Sequence, residues 1–341
     1  MNILHALAMR AATLLTLALA AVLTIVALHS TRAIAEPPAD QDVSLVTPTG
    51  TLYGSELVPP AKGKIPVVLL HAGSGPVDRN GDPPGQPGVN SSLKLLAEGL
   101  AREGIATLRF DKRGVGQSRG AVTAEKDLRF DDYVSDAAAW VKKLKVDPRF
   151  SNVVVAGHSE GSLIGMLAAG QAGADGFVSI AGIARSVDEV LRDQLRPQLS
   201  PELYAQADKT LQSLKQGQTV AEPPAALNML FRPSVQPYLI SWFKYAPAEL
   251  IARLTMPVLI AQGTADTQVG AAEAEALGKA RPGARVLIVE GMNHALKIVG
   301  KDGALQKNFS SNSKLPVSDE LVSAIGGFVK ELRLADGFGK S

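Results

Sequence analysis

The pattern of apolar and polar residues changes character twice along the chain. Asp42–Val58 alternates in the manner of an opening hairpin, with Pro48-Thr49-Gly50 as its turn. Four largely apolar runs follow at Ile65–Leu70, Ala106–Phe110, Asn152–Ala156 and Gly176–Ile180, and runs of this kind predict strands buried on both faces. Between them, Leu93, Leu96, Ala97 and Leu100 in Ser91–Arg102 recur at helical spacing, as do Val134, Ala137, Ala138, Val141 and Leu144 in Tyr133–Leu144. The expected class is therefore α/β, with a mostly parallel sheet flanked by helices.

After Ala181-Gly182-Ile183 the alternation stops, and the chain through Thr255 reads mostly as helices: Val187–Leu195, Pro201–Leu214, Ala226–Phe231, Pro237–Tyr245 and Ala248–Leu254. Strand-like runs resume at Pro257–Ala261 and Arg285–Val289, and a final helix is predicted over Ser318–Leu332. The strands on both sides of the helical stretch are short and must share a sheet to bury their faces. One domain from residue 36 to 341, with a helical cap inserted at about 184–255, is expected rather than two independent domains.

The N-terminus has a separate logic. Ala11–Leu28 carries no charge, Arg10 precedes it, and Ala33-Ile34-Ala35 ahead of Glu36-Pro37-Pro38 supplies an A-x-A site. This pattern predicts a signal peptide over residues 1–35, cleaved after Ala35, and hence a periplasmic or secreted protein. The rival expectation is an uncleaved membrane anchor, since the run has the minimum length of a span.

Composition narrows the chemistry. The 341 residues are 46% hydrophobic and 20% charged, which excludes disorder. Zero cysteines exclude disulfides, thiolate metal sites and cysteine nucleophiles. Removing Arg10 and Arg32 from the 35 basic side chains leaves 33, equal to the acidic count, so the mature chain offers no electrostatic reason to bind nucleic acid. Asp78-Arg79-Asn80-Gly81-Asp82 begins like a calcium loop, but Pro83 and Val89 stand where glycine and glutamate are required. Gly114-Val115-Gly116-Gln117-Ser118-Arg119-Gly120 has the wrong last spacing for a dinucleotide fingerprint. Neither a metal nor a cofactor is expected.

The most specific signal is Val153-Val154-Val155-Ala156-Gly157-His158-Ser159-Glu160-Gly161-Ser162, in which a buried strand enters G-x-S-x-G and then a helix. This context makes Ser159 the candidate nucleophile, with glycines where side chains would collide on a strained strand-to-helix turn. A serine hydroxyl needs a base. Of five histidines, His5 and His29 lie in or beside the signal, His71 ends an early strand and His158 adjoins the serine. His294 remains, in Glu290-Gly291-Met292-Asn293-His294-Ala295 after a strand. Asp266, in Gly263-Thr264-Ala265-Asp266 after another strand, is the acid that would orient it, whereas Asp111 reads as a carboxylate bracing a turn. The N–H of Glu160 is one candidate oxyanion donor. The second is expected from Gly73 or Ser74 in the glycine-rich His71-Ala72-Gly73-Ser74-Gly75-Pro76 loop. Phe231, Tyr238, Trp242, Phe243 and Tyr245 are as readily cap core as substrate pocket.

These residues resemble the α/β-hydrolase superfamily, and more narrowly the bacterial carboxylesterases related to serine aminopeptidases. The likeness runs through His71–Gly81, Arg109–Ser118, the elbow at 157–161, the Asp266 and His294 loops and Leu230–Tyr238. Ala72 departs from the glycine that many relatives carry after the histidine. The resemblance implies an α/β-hydrolase fold, Ser159 as nucleophile with Asp266 and His294 as partners, no cofactor, and short acyl esters as small-molecule substrates. Two other readings stay open: an aminopeptidase or amidase using the same three residues, in which Glu160, Glu189 or Glu202 would have to hold a free amine, and a non-catalytic binding protein on this scaffold.

Overall fold

The computed structural model describes residues 38–299 and 314–338, so the expected signal peptide lies outside the described residues. Its first strands, β1 (Gln41–Thr47) and β2 (Gly50–Leu57), pair antiparallel around the Pro48-Thr49 turn, and β2 pairs antiparallel with β4 (Ala106–Phe110). From there every pairing is parallel. The sheet order is β1-β2-β4-β3-β5-β6-β7-β8, with β3 at Ile65–His71, β5 at Phe150–His158, β6 at Gly176–Ile180, β7 at Val258–Gly263 and β8 at Arg285–Val289. This is the mostly parallel, helix-flanked architecture that the apolar runs predict.

The strands are buried on both faces because alternate side chains serve two cores. Val67, Leu69, Val153 and Val155 join one core with Trp140, Phe130 and Phe177. Val68, Leu70, Val154 and Ala156 point the other way and meet Leu96, Leu100, Leu321, Ile325 and Phe328. The first core is covered by α2 (Phe130–Lys145) and α3 (Glu160–Ala172), and the second by α1 (Ser92–Arg102) and the C-terminal α10 (Asp319–Phe338).

Between β6 and β7 the chain forms α4 (Val187–Leu195), α5 (Pro201–Lys215), α6 (Asn228–Phe231), α7 (Gln236–Trp242) and α8 (Pro247–Ala252). Phe231 and Phe243 are fully buried, so these helices have an aromatic core of their own that merges with the sheet's. The stretch expected as one helix at Ala226–Phe231 divides into a 3-10 turn, Ala225–Leu227, and the single turn α6. One helix escapes apolar periodicity altogether. Helix α9 (Ala271–Ala280) is built from alanine and glutamate and buries only Glu273, Ala274 and Leu277, a stripe too thin to register as a pattern.

Carboxylates hold the irregular segments at the C-terminal edge of the sheet. Asp111 accepts from the backbone N–H of Arg79 and Gln117 and from the Arg79 guanidinium, at 2.8–2.9 Å. Asp82 accepts from the N–H groups of Gly88, Asn90 and Ser91, each at 2.7 Å. Arg113 forks onto buried Asp136 of α2, with Nε and Nη2 at 2.7 and 2.5 Å from its two oxygens. Burial, helped by the nearby Asp132 charge, raises the Asp136 carboxyl above the ordinary range, and the Arg113 contact opposes that rise. Removing one partner strands the other charge out of water, so Asp136→Ala should lower stability by about 3–5 kcal/mol in urea unfolding. A loss below ~1 kcal/mol would show that Arg113 reaches solvent instead.

Candidate active site

Strand β5 ends in a turn too tight for ordinary side chains. A Cβ at Gly157 would lie 1.9 Å from the Gly161 carbonyl oxygen, and one at Gly161 would lie 2.5 Å from that of Ala72. Ser159 between them adopts φ 56°, ψ −121°, a backbone conformation costly for a side-chain-bearing residue. Neighbouring backbone over-determines it: the Ser159 N–H donates to Ile180 O at 2.8 Å, and its carbonyl accepts from Ser162 N at 2.9 Å as α3 begins. The serine is thus held half-buried at the sheet's C-terminal edge, beside the first free N–H groups of a helix.

Strands β7 and β8 deliver the acid and the histidine to the same edge. Asp266 Oδ2 and His294 Nδ1 are 2.7 Å apart, so the ring carries its proton on Nδ1 and leaves Nε2 to accept. The carboxylate is almost fully buried and fully engaged. Its Oδ1 accepts from the N–H groups of Gln268 and Val269 at 2.8 and 2.9 Å, and Oδ2 also takes Gln262 Nε2 at 3.0 Å. Burial pushes its pKa up, but the His294 contact and the two N–H donors outweigh that and hold it below the ordinary carboxylate range. Gly263 and Met292 bring the two loops into contact, since a Cβ at Gly263 would lie 1.9 Å from Met292 O, and Ala265 N donates to the same oxygen at 3.0 Å. Asn293 then shapes the histidine loop by accepting from the N–H groups of Ala295 and Lys297, both at 3.0 Å.

His158 proves to be a support for His294. Its Nε2–H donates to the His294 carbonyl at 2.8 Å, and the two rings lie 4.7 Å apart. Burial, then the adjacent His294, lowers its pKa to about 3, so it is neutral at physiological pH. His71, beneath the elbow, is likewise held neutral by burial and by Lys112, with a pKa of about 3.

Ser159 and His294 line one cavity of about 210 Å³, together with Gly73, Ser74, His158 and Gln268. Gly73 packs directly on Ser159: a Cβ there would stand 3.2 Å from the Cβ of Ser159. The N–H groups of Gly73, Ser74 and Glu160 have no acceptor among the described residues and remain available to a ligand. Ser159, Asp266, His294, Gly73, Ser74 and Glu160 are therefore found at one edge of the sheet.

Sequence reasoning missed the side-chain cluster on the other side of Glu160. Lys112 is 1% exposed, and its Nζ donates to Gly73 O at 2.5 Å and pairs with Glu160 Oε2 at 3.4 Å. Tyr238 of α7 donates its hydroxyl to Glu160 Oε1 at 2.6 Å. Burial lowers the Lys112 pKa, and Glu160 opposes that shift. These residues border a second cavity of about 410 Å³, which also touches Val115, Val122 and Leu128. At its rim Arg232 and Ser234 both donate to Glu125. The only hint in the sequence was two polar residues, Lys112 and Glu160, next to motif positions.

Residues 90–298 match the family described as serine aminopeptidase, S33. The chain is 32% identical over 250 residues to Esterase EstD of Thermotoga maritima, covering 72% of this chain and 58% of that protein, so it spans less than two thirds of that relative's length. Among solved structures, Est1E from Butyrivibrio proteoclasticus aligns over 85% of this chain and 98% of its own at 17% identity, with a TM-score of 0.54. A thermophilic esterase from Thermogutta terrifontis aligns over 86% and 99% at 16% identity, with a TM-score of 0.52, and both likenesses speak to the fold alone. The extent of the sequence match, laid over an eight-stranded sheet with a G-x-S-x-G elbow, means that this chain belongs to the serine aminopeptidase (S33) family of α/β hydrolases.

Proposed function

We propose that the protein is an exported serine hydrolase that cleaves short acyl carboxylic esters through an acyl-enzyme. The observation that carries this reading is the 2.7 Å contact between Asp266 and His294 at a cavity that Ser159 also lines. In the proposed reaction His294 Nε2 takes the Ser159 proton as Oγ attacks the ester carbonyl. The tetrahedral oxyanion is received by the N–H of Glu160 and that of Gly73 or Ser74. Collapse expels the alcohol, to which His294 returns the proton. Water, activated by the same histidine, then cleaves the acyl-Ser159 ester and releases the acid. Asp266 stays ionised and stabilises the imidazolium that forms in each half.

The size of the cavity around Ser159, about 210 Å³, suits a short acyl group. The aminopeptidase reading has less support. A free amine would need an unpaired carboxylate, but Glu160 is taken by Lys112 and Tyr238, while Glu189 and Glu202 are solvent-exposed. Export rests on the uncharged Ala11–Leu28 run and the Ala33-Ile34-Ala35 site.

Intact mass of protein recovered from the producing cells, before and after a fluorophosphonate, tests both parts. The expected result is a chain beginning at Glu36 with one adduct on Ser159, and no adduct on Ser159→Ala. A folded wild type that does not label would refute the active-serine reading. Asp266→Asn should leave the fold intact and reduce kcat on p-nitrophenyl acetate on the order of 10³–10⁴-fold, because the ring loses its fixed tautomer. Side by side, acetyl and butyryl esters should turn over faster than aminoacyl amides. Faster amide cleavage would reassign the substrate class.

A further inference from the structure

Lys112 is a fully buried ammonium on the loop after β4 and does not itself line the Ser159 cavity. Its desolvation is costly, and a hydrocarbon of the same length would fill the space more cheaply. What it does contact is specific. One bond goes to the carbonyl of Gly73, the residue packed against Ser159, and its ion pair goes to the side chain of Glu160, the residue that follows Ser159. Its third neighbour is the face of the Tyr133 ring, 5.2 Å from Nζ to the centroid. The two segments joined through Lys112 are the ones whose open N–H groups flank Ser159. They come from different strands, β3 and β5, and beyond the sheet edge no ladder hydrogen bond sets their separation.

We propose that Lys112 is a positioning residue for transition-state stabilisation: by tying the Gly73 carbonyl to the Glu160 carboxylate it sets the separation and tilt of the two oxyanion-donor segments. A peptide unit is planar, so fixing the Gly73 carbonyl also fixes the N–H of Ser74 across the same bond and restrains Gly73 itself. Tyr238 completes the device from the inserted helices, since its hydroxyl holds the second oxygen of Glu160 and stops the carboxylate from swinging away from Lys112. The inserted helices thereby contribute to the oxyanion site without touching it. This inference rests on the esterase reading above.

The test compares Lys112→Met, Lys112→Arg and Tyr238→Phe with wild type on p-nitrophenyl acetate, with affinity for a trifluoromethyl ketone as a tetrahedral mimic. Misplaced donors weaken the transition state and leave the ground state alone. Lys112→Met should therefore lose on the order of 10²-fold in kcat with KM within about threefold, and bind the ketone weaker by the same factor as kcat/KM. Lys112→Arg, which keeps charge and donors, should recover at least tenfold of that loss. Tyr238→Phe removes one hydroxyl without changing shape and should cost about 3–10-fold in kcat, which decides the matter if Lys112→Met does not fold. Folded variants with kcat and ketone affinity within twofold of wild type would overturn the inference while leaving the esterase reading intact. A wild type that neither turns over ester nor labels would overturn both.

Discussion

The structure depends on a single steric constraint, the near-contact of Gly157 and Gly161 around Ser159. At a hypothetical Cβ separation of 1.9 Å from the Gly161 carbonyl, no side chain fits at position 157, and the turn closes only because none is there. The closure forces Ser159 to positive φ, a strain of about 1–3 kcal/mol that the parallel pairing of β5 with β3 and β6 must outweigh. A strained residue persists only where its surroundings over-determine it. Here the surroundings are fully buried strands, Val67–Leu70 and Val153–Ala156. Ser159 is thus held by strands that cannot move without exposing core.

Around that rigid point, the loops are organised by acceptors rather than by ladders. Asp82, Asp111 and Asp266 each take backbone N–H groups from segments with no strand partner. A carboxylate offers several lone pairs, so one buried side chain can satisfy two or three amides and fix a turn that would otherwise need water. The arrangement explains how nearly neutral overall charge coexists with many buried ions: the charges are internal fastenings, paired within the fold, and leave little net field outside.

Much of this was legible in the sequence, and the reasons for success and failure are physical. Continuous apolar runs such as Val153–Ala156 announce strands buried on both faces, and G-x-S-x-G after such a run has a steric meaning that survives without any alignment. The pairing of Asp266 with His294 is legible because each follows a strand and because histidines are few. Helix α9 was hidden because an alanine- and glutamate-rich segment covers little core and needs no apolar stripe. The contacts of Lys112 and Tyr238 are hidden for another reason: their partners lie 39 and 78 residues away, so Tyr238 stands in the sequence only as one of five aromatics in the inserted stretch. His158 was noticed but not understood, because its contact with the His294 carbonyl spans 136 residues.

The placement of the inserted helices has an architectural consequence. They connect β6 to β7, two strands that already lie side by side and parallel, so the connection must cross from one end of the sheet to the other whatever its length. Residues can be gained or lost in it without changing which strands pair. A lineage can thus remodel the inserted helices while inheriting the strand edge that carries Ser159 unchanged. That freedom narrows at Tyr238, where the insertion holds the elbow: a rebuilt insertion that brings no donor back to the Glu160 carboxylate leaves one of its oxygens without this partner.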